Sequence, residues 1–224
     1  VFKGYDETTL KANVTALVLD SEAVNELSNK INKSAIITDE SCFYAESGGQ
    51  VGDKGIISSE NAEFKVTDTR KTPQGIFIHF GNVISGNFKI GNEVKLKIDS
   101  SLRELIKKNH SATHLLHAAL RNNLGLHVAQ RGSLVNENKL RFDFSHNKQI
   151  SSKQIDTIQK EVLNIISNTC ETQIDIKSQE EAIKLGAMAL FGEKYGEEVR
   201  VVTLGEHNNK PYSIELCGGT HVTN

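Results

Sequence analysis

Two short motifs contain the residue types that bind metal ions. The stretch "HSATH" carries His110 and His114, and the stretch "CGGTH" carries Cys217 and His221. On a helix, positions i and i+4 lie on one face, so both histidines of the first motif can reach the same ion. Three imidazoles and one thiolate suit tetrahedral zinc, with Zn–N and Zn–S distances of about 2.0 Å and 2.3 Å expected. The sequence therefore predicts that these four residues bind one Zn²⁺.

Each half of this prediction has an ordinary alternative. His110 and His114 alone fit a solvated or a core helix face, and a lone cysteine such as Cys217 is commonly a small buried hydrophobe. His117, one turn further along the same face, is a spare ligand, a supporting group or a residue without a role. Four protein ligands can close a structural zinc site. Alternatively, a water molecule displaces one of them and is activated by the metal. The prediction of a shared site depends on both pairs occurring in a chain with three cysteines.

A third motif is the glycine-rich stretch "ESGGQVGDKG" at residues 46–55. Gly48 and Gly49 allow backbone N–H groups to approach a phosphate or a ribose closely, which makes them candidate nucleic-acid contacts. A plain β-turn is an equally good interpretation, because the stretch lacks the lysine and the spacing of a P-loop.

Charge limits how this chain can bind nucleic acid. The net charge is -2, whereas domains that bind nucleic acid on their own are usually basic. An RNA contact must then rest on a local basic patch. The candidates flank the "HSATH" motif or follow it, and they are Arg103, Lys107, Lys108, Arg131 and Arg141, with Lys139 beside them.

The elements that carry these motifs differ between the two halves of the chain. Residues 1–100 contain short apolar and β-branched segments separated by Gly, Asn, Asp and Pro, which predicts a small β-barrel that includes the glycine-rich motif. A short helix over Ser21–Asn29 is also expected there.

From residue 101 the pattern becomes helical. A long helix is predicted from a serine cap at Ser100 or Ser101 to Gly125. A β-hairpin turns at Asn136–Asn138, a second helix contains Ile155 and Ile158 at helical spacing, and Ser178 with Glu181 forms a capping box. The predicted fold is α+β, with a β-barrel over 1–100 and an α+β zinc-binding core over 101–224.

Composition excludes several classes of protein. Three cysteines in 224 residues do not form a disulfide framework, which favours a reducing compartment and a cytoplasmic protein. No apolar run approaches the roughly 20 residues of a membrane span, so no membrane partner is expected. Residue 1 is Val rather than Met, and we expect a fragment or a processed product.

The motifs "HSATH", "ESGGQVGD" and "CGGTH", in this order and with these gaps, resemble the editing domain of alanyl-tRNA synthetase. Free-standing trans-editing proteins share them, and the editing domain of threonyl-tRNA synthetase is related. The opening "FKGYDETTLKANV" is similar to the synthetase rather than to the free-standing proteins. The resemblance covers nearly the whole chain.

The resemblance implies hydrolysis of the ester that joins serine or glycine wrongly to alanine tRNA, with zinc held at the four positions given above. It also implies that Gln130 supports deacylation and that Thr113 and Ser133 line the amino-acid pocket. The aminoacylation domain, which binds ATP, and the other synthetase domains are implied partners. Threonyl-type editing and a zinc module that docks tRNA without chemistry remain the alternatives. Two groups could act as the general base, and the sequence does not choose between them: a hydroxide bound to the metal, or a hydroxyl of the terminal ribose of the tRNA.

Overall fold

The computed structural model describes residues 1–28, 33–168, 170–188 and 196–224. These residues form two compact units, one made of 1–47 and 51–104 and the other of 48–50 and 105–224. The glycine-rich motif is thus divided, because residues 48–50 group with the second unit and not with the first, where the sequence pattern had placed them. No helix in the described part of the chain has the length and apolarity needed to cross a membrane.

The first unit is built on a closed β-barrel, which confirms the predicted barrel. Six antiparallel strands follow one another in the order β1-β4-β7-β6-β5-β9, and β9 pairs back to β1. The strands of this unit are β1 (Thr9–Leu19), β2 (Glu22–Val24), β3 (Glu26–Ser28), β4 (Ser34–Thr38), β5 (Gly55–Ser58), β6 (Glu63–Lys71), β7 (Phe77–Ser85), β8 (Asn87–Lys89) and β9 (Glu93–Ile98).

Alternation of apolar and polar residues explains why these segments close around one core. In β9, the side chains of Val94, Leu96 and Ile98 are buried, whereas the residues between them are exposed. Successive side chains of a strand point to opposite faces, so one face fills the barrel and the other meets solvent. Phe64 and Phe88 are fully buried in the same core.

The helix expected over Ser21–Asn29 is wrong for the described residues 21–28. Asp20 and Ser21 have positive φ angles of 50° and 71°, and Leu19 pairs with Glu22 on either side of them. Two central residues with positive φ form the tight turn that matches the twist of antiparallel strands. The segment therefore continues as β2 and β3, and Asn29 lies outside the described residues.

The second unit combines helices with a hairpin and a small sheet, as expected for the α+β half. β10 and β11 form the predicted hairpin, and β12, β13 and β14 form an antiparallel sheet. The hydroxyl of Ser178 accepts from the backbone N–H of Glu181, which confirms the capping box. The elements are α1 (Ser100–Leu124), β10 (Gln130–Val135), β11 (Leu140–Phe144), α2 (Ser152–Ser167), β12 (Gln173–Ser178), α3 (Gln179–Lys184), β13 (Glu198–His207) and β14 (Lys210–Leu216).

Helix α1 is held against this sheet by an apolar face. Leu115 packs with Ile165 of α2, with Val202 and Leu204 of β13, and with Cys217. The helix ends before Gly125, whose φ of +117° favours glycine. The predicted serine cap is replaced by Asp99, whose carboxylate accepts from the N–H groups of Ser101 and Leu102 at 3.1 Å. This packing fixes the rotation of α1, and with it the face that carries the histidines.

Arg103 is not a surface cation, which corrects the prediction made from the sequence. Its side chain is 2 % exposed and forms an ion pair with the equally buried Asp53. The same guanidinium donates to the carbonyl oxygens of Gly4 at 2.7 Å and Cys42 at 3.2 Å. A guanidinium enclosed in this way cannot reach a phosphate, so we do not retain Arg103 among the RNA contacts. Its role is to satisfy buried acceptors in the first unit.

Replacing Arg103 should therefore destabilise the protein. Arg103→Met leaves the Asp53 carboxylate buried without its cation, which costs about 3–5 kcal/mol of unfolding free energy. The matched change Lys108→Met, at an exposed position of the same helix, should stay within about 0.5 kcal/mol. Urea unfolding followed by circular dichroism measures both, and equal midpoints for the two variants would contradict the buried pair.

Candidate metal centre

The four predicted ligands come together in one buried cluster. One potential ligand atom from each of His110, His114, Cys217 and His221 lies within 4.8 Å of all the others. The Cys217 Sγ atom is 3.5 Å from His110 Nε2 and 3.3 Å from His221 Nε2. A tetrahedral zinc site with bonds of about 2.0 Å and 2.3 Å separates its nitrogen and sulfur ligands by about 3.5 Å. The cluster is therefore arranged to hold a metal ion.

Two elements bring the ligands together from distant parts of the chain. His110 and His114 lie one turn apart on α1, and their rings stack with centroids 5.2 Å apart. Cys217 directly follows β14, and His221 completes the turn after it. The His221 ring lies 4.4 Å from the ring of His110 and 5.0 Å from that of His114, centroid to centroid. The site is thus formed by one helix face and one strand end.

Each imidazole has a hydrogen-bond partner at its Nδ1 atom. His110 Nδ1 lies 2.8 Å from Gln50 Oε1, and His114 Nδ1 lies 2.6 Å from Glu215 Oε2. His221 Nδ1 lies 3.4 Å from the hydroxyl oxygen of Ser111. An acceptor at Nδ1 keeps the proton there and leaves the Nε2 lone pair for a metal. The three supporting residues therefore favour one ligand tautomer.

Glu215 supports two histidines at once. Its second carboxylate oxygen lies 2.8 Å from His117 Nδ1, and the side chain is about 1 % exposed. His114 Nε2 and His117 Nε2 are buried and have no hydrogen-bond partner among the described residues. A metal ion held by the cluster would pair with the first of these atoms. The ring of His117 packs against Phe142, with 5.1 Å between centroids. Its Nε2 atom can accept a hydrogen bond, and the four-residue metal cluster does not use this atom.

The electrostatics of the cluster favour a cation beside a thiolate. Burial lowers the pKa of His114, but the Glu215 carboxylate and the Cys217 sulfur outweigh it and raise that pKa to about 10. Burial raises the pKa of the Cys217 thiol, yet the imidazoles of His110, His221 and His114 hold it well below its ordinary value. Burial keeps the pKa of His221 low, at about 3, so that imidazole is neutral. A bound metal would supply the positive charge in place of the imidazole protons, because ligation requires neutral imidazoles.

The "CGGTH" turn is fixed by contacts that the sequence did not reveal. Arg200 donates to the carbonyl oxygens of Cys217 at 3.0 Å and Gly219 at 2.8 Å. A Cβ atom at Gly219 would lie 2.1 Å from the His110 ring. Only glycine fits at this position, because the His110 ring packs directly on its backbone. The N–H of Gly219 also lies 3.4 Å from the Cys217 sulfur.

The glycine pair of "ESGGQ" packs against the hairpin. Gly49 has a φ of +84°, and a Cβ atom there would lie 2.7 Å from the carbonyl oxygen of Ser133. Its own carbonyl accepts from the N–H of Val135 at 2.7 Å. The next residue is Gln50, so the glycines bring that side chain to His110. The nucleic-acid contacts predicted for Gly48 and Gly49 stay a prediction.

The remaining predicted site residues lie on the elements around the cluster. Thr113 is buried on α1, and its hydroxyl donates to the carbonyl of Asn109 at 2.8 Å, as an ordinary helix threonine does. Gln130 and Ser133 are half-buried in β10, opposite Phe144 and Phe142. The basic candidates Lys108, Arg131, Lys139 and Arg141 are exposed, and Lys107 is half-buried.

Four supporting residues were missed from the sequence: Gln50, Ser111, Arg200 and Glu215. Glu215 had a usable signal, because it lies two residues before Cys217 and so on the same face of the strand. Gln50 directly follows the glycine pair, but nothing local indicates that its partner is His110. Arg200 acts through its position opposite the end of β14, which only the sheet register reveals.

Two family models match the chain. One, described as "tRNA synthetases class II (A)", matches residues 1–102. The other, described as "Threonyl and Alanyl tRNA synthetase second additional domain", matches residues 199–224, which contain β13, β14 and the "CGGTH" turn. These matches show that residues 1–102 and 199–224 are similar to segments of aminoacyl-tRNA synthetases.

Individual relatives that match the chain are alanine–tRNA ligases. Alanine–tRNA ligases of Mesorhizobium japonicum, Parvibaculum lavamentivorans and Rhizobium johnstonii are each 47 % identical to the chain over 99 % of its length. The resemblance to alanyl-tRNA synthetase that the motifs indicated is therefore confirmed. The chain spans about a quarter of the length of these relatives, 25 % or 26 % in each case.

Removing the thiolate tests the cluster directly. Cys217→Ser should weaken zinc binding by well over about 100-fold, since loss of a supporting residue alone typically costs about 10–100-fold. Cys170→Ser, at a half-buried cysteine of the same unit, should leave the affinity unchanged. Competition with a chromophoric chelator measures both affinities. Equal zinc affinity in the Cys217→Ser and the unmodified protein would contradict the cluster as the metal site.

Proposed function

We propose that this chain is a zinc-dependent aminoacyl-tRNA deacylase unit of an alanyl-tRNA synthetase. Its reaction is hydrolysis of the ester that joins serine or glycine to alanine tRNA. The observation that carries the proposal is the buried cluster of three imidazoles and one thiol, in a chain that matches an alanine–tRNA ligase over 99 % of the chain's length. The tRNA and the other domains of the synthetase are the partners.

The donor set supports zinc as the metal. Three histidines with Nδ1 bonded elsewhere and one cysteine with a depressed pKa form a borderline-soft, four-coordinate set. Carboxylate-rich sites suit Mg²⁺ or Ca²⁺, whereas mixed imidazole and thiolate sites suit Zn²⁺. When bound, zinc supplies a Lewis acid that polarises an ester carbonyl or a water molecule.

The protein residues have separate roles in this proposal. The ligands and their acceptors hold a rigid site. His117 offers a buried acceptor for a donor group of the substrate, because leaving its Nε2 atom unpaired costs roughly 1–3 kcal/mol. Gln130 and Ser133, on β10, position the acyl group. Water adds to the carbonyl carbon, the bond from that carbon to the ribose oxygen breaks, and the ribose oxygen takes a proton from the water, which leaves the free amino acid and a tRNA with its ribose hydroxyl restored.

Selectivity is the reason why such a site is needed. A synthetic pocket shaped for alanine rejects a near-isostere by only about 10²-fold, so a second pocket must remove the error. That pocket must spare alanine, which buried polar groups achieve if they pair with the seryl hydroxyl and stay unpaired with alanine. Thr113 suits this role, because its hydroxyl proton is donated to Asn109 and its lone pairs remain to accept from serine. Glycine needs a separate explanation, such as its small size.

The tRNA contacts in this proposal are few. Lys107, Lys108, Arg131 and Arg141 remain after the removal of Arg103. Arg141 is already paired with Asp143 at 3.2 Å in an exposed contact, which contributes little on its own. With a net charge of -2, we expect weak tRNA binding that falls steeply with salt.

One observation favours a second candidate function. All four ligands are at most 5 % exposed, as in structural zinc sites that are closed by protein. A zinc module that docks tRNA without chemistry has the same cluster. Such a module would protect the ester, whereas a deacylase would cleave it. Threonyl-type editing is a further alternative, and it predicts cleavage of a different acyl-tRNA.

The decisive assay compares seryl and alanyl esters of alanine tRNA. The unmodified chain should cleave the seryl ester much faster, with discrimination up to roughly 10⁴-fold. Thr113→Val removes the hydroxyl at nearly constant volume and should narrow this gap, while Thr113→Ser keeps a hydroxyl and should preserve most of it.

Release of the labelled amino acid measures these rates. Equal rates for the two esters in the unmodified chain would exclude hydroxyl recognition as the basis of selectivity. An unchanged ratio in Thr113→Val would transfer the role to Gln130 or Ser133. Protection of both esters would favour the docking module.

A further inference from the structure

Gln50 is a fully buried polar side chain that is hydrogen-bonded through both its amide oxygen and its amide nitrogen at the metal site. It has no exposed surface, although it is an uncharged amide with four hydrogen-bonding positions. Its oxygen accepts from the N–H of Thr220 at 2.9 Å and lies 2.8 Å from His110 Nδ1. Its nitrogen lies 2.9 Å from the hydroxyl oxygen of Thr220. One side chain therefore contacts both the helix and the turn that carry the ligands.

The backbone around Gln50 is held from the hairpin. Gln50 forms an isolated parallel bridge with Val135 at the end of β10. The close approach of Gly49 to Ser133 leaves no room for a side chain at that glycine. The glycine pair therefore fixes the backbone position of Gln50, from which its side chain extends to His110. This gives the "SGGQ" segment a structural purpose that needs neither a phosphate nor a ribose.

We propose that Gln50 is a positioning residue for the metal site. An amide oxygen can only accept, so the proton of His110 must reside on Nδ1, and the Nε2 lone pair then faces Cys217 Sγ at 3.5 Å. The same oxygen and the amide nitrogen hold Thr220, the residue between Gly219 and ligand His221. Gln50 thereby sets the tautomer of one ligand and the position of the turn that carries two others.

The three supporting acceptors are chemically different, which makes this role specific. Glu215 holds His114 with a charged oxygen and Ser111 holds His221 with a hydroxyl. A hydroxyl can rotate and either donate or accept, whereas the amide of Gln50 is locked by Thr220 on both of its sides. The tautomer of His110 consequently depends on Gln50, an uncharged side chain whose orientation Thr220 fixes.

The experiment measures metal binding in the 224-residue chain. Gln50→Leu removes the acceptor at similar volume and should weaken zinc binding by about 10–100-fold. Gln50→Glu keeps an oxygen for His110 and for the Thr220 N–H, and its second oxygen can accept from the Thr220 hydroxyl. Its affinity should stay within about threefold of the unmodified value, well inside the loss expected for Leu. Gln154→Leu, in the α2 capping box, controls for a general loss of stability and should not change the zinc affinity.

Cobalt spectroscopy supplies a second readout. Co²⁺ in the unmodified chain should show the intense visible bands of a tetrahedral site with a thiolate ligand. In Gln50→Leu these bands should weaken or shift, whereas those of Gln154→Leu should match the unmodified spectrum. Unchanged zinc affinity and an unchanged cobalt spectrum in Gln50→Leu would overturn the proposal. Should that variant fail to fold, Gln50→Glu decides, and weak zinc binding by a folded Gln50→Glu would overturn it as well.

This proposal rests on the zinc site of the proposed function and not on its ester chemistry. Loss of deacylation with an intact effect of Gln50 on zinc would leave the positioning role standing. Normal deacylation and zinc binding in Gln50→Leu would remove the positioning role and leave the proposed function intact. Absence of zinc binding in the unmodified chain would overturn both.

Discussion

The site depends on the carboxylate of Glu215, which joins helix α1 to strand β14. It accepts from His114 at 2.6 Å and from His117 at 2.8 Å, so two turns of the helix are tied to one strand residue. Burial raises the pKa of Glu215, but the charge and hydrogen bond of His114 outweigh it and lower that pKa to about 2. A carboxylate buried to this degree is stable only when both of its oxygens are satisfied. Together with the packing of Leu115, the contact holds the helix in the rotation that directs His110 and His114 at Cys217.

The rest of the metal centre follows from that rotation. Once His110 and His114 face the end of β14, the Cys217 sulfur lies beside imidazoles that hold the pKa of its thiol well below the ordinary value. The turn after β14 must then pass so close to His110 that only glycine fits at position 219. Arg200 holds this turn because its guanidinium donates hydrogen bonds to the carbonyl oxygens of Cys217 and Gly219. Among the described residues, the buried side-chain polar atoms are all paired except for the Nε2 atoms of His114 and His117.

Sequence patterns predicted the parts of the structure that depend on local rules. Strand alternation indicated the barrel, the Asn136–Asn138 turn indicated the hairpin, and Ser178 with Glu181 indicated the start of α3. The four candidate ligands could be named from the sequence because HxxxH fixes a helix face and CxxxH fixes a short turn. The two-residue turn at Asp20–Ser21 was missed, since positive φ there is adopted by residues other than glycine. Local rules therefore do well where the residue types follow the common preference.

Contacts between distant residues account for the larger misses. Arg103 was taken for a surface cation because its partner Asp53 lies 50 residues away, and nothing near either residue indicates the pair. Gln50 and His110 are 60 residues apart, and Glu215 and His114 are 101 apart. Candidate metal-binding residues can thus be inferred from their spacing, whereas the residues that orient their side chains are defined only by the tertiary fold.

Binding of one zinc ion by three imidazoles and one thiolate is the property on which the proposed function rests. X-ray absorption at the zinc K-edge of the loaded protein tests it most directly, because the fine structure reports ligand types and distances together. We expect three nitrogen ligands at about 2.0 Å and one sulfur ligand at about 2.3 Å. A coordination shell without sulfur, or a six-coordinate shell of oxygen and nitrogen, would contradict this assignment.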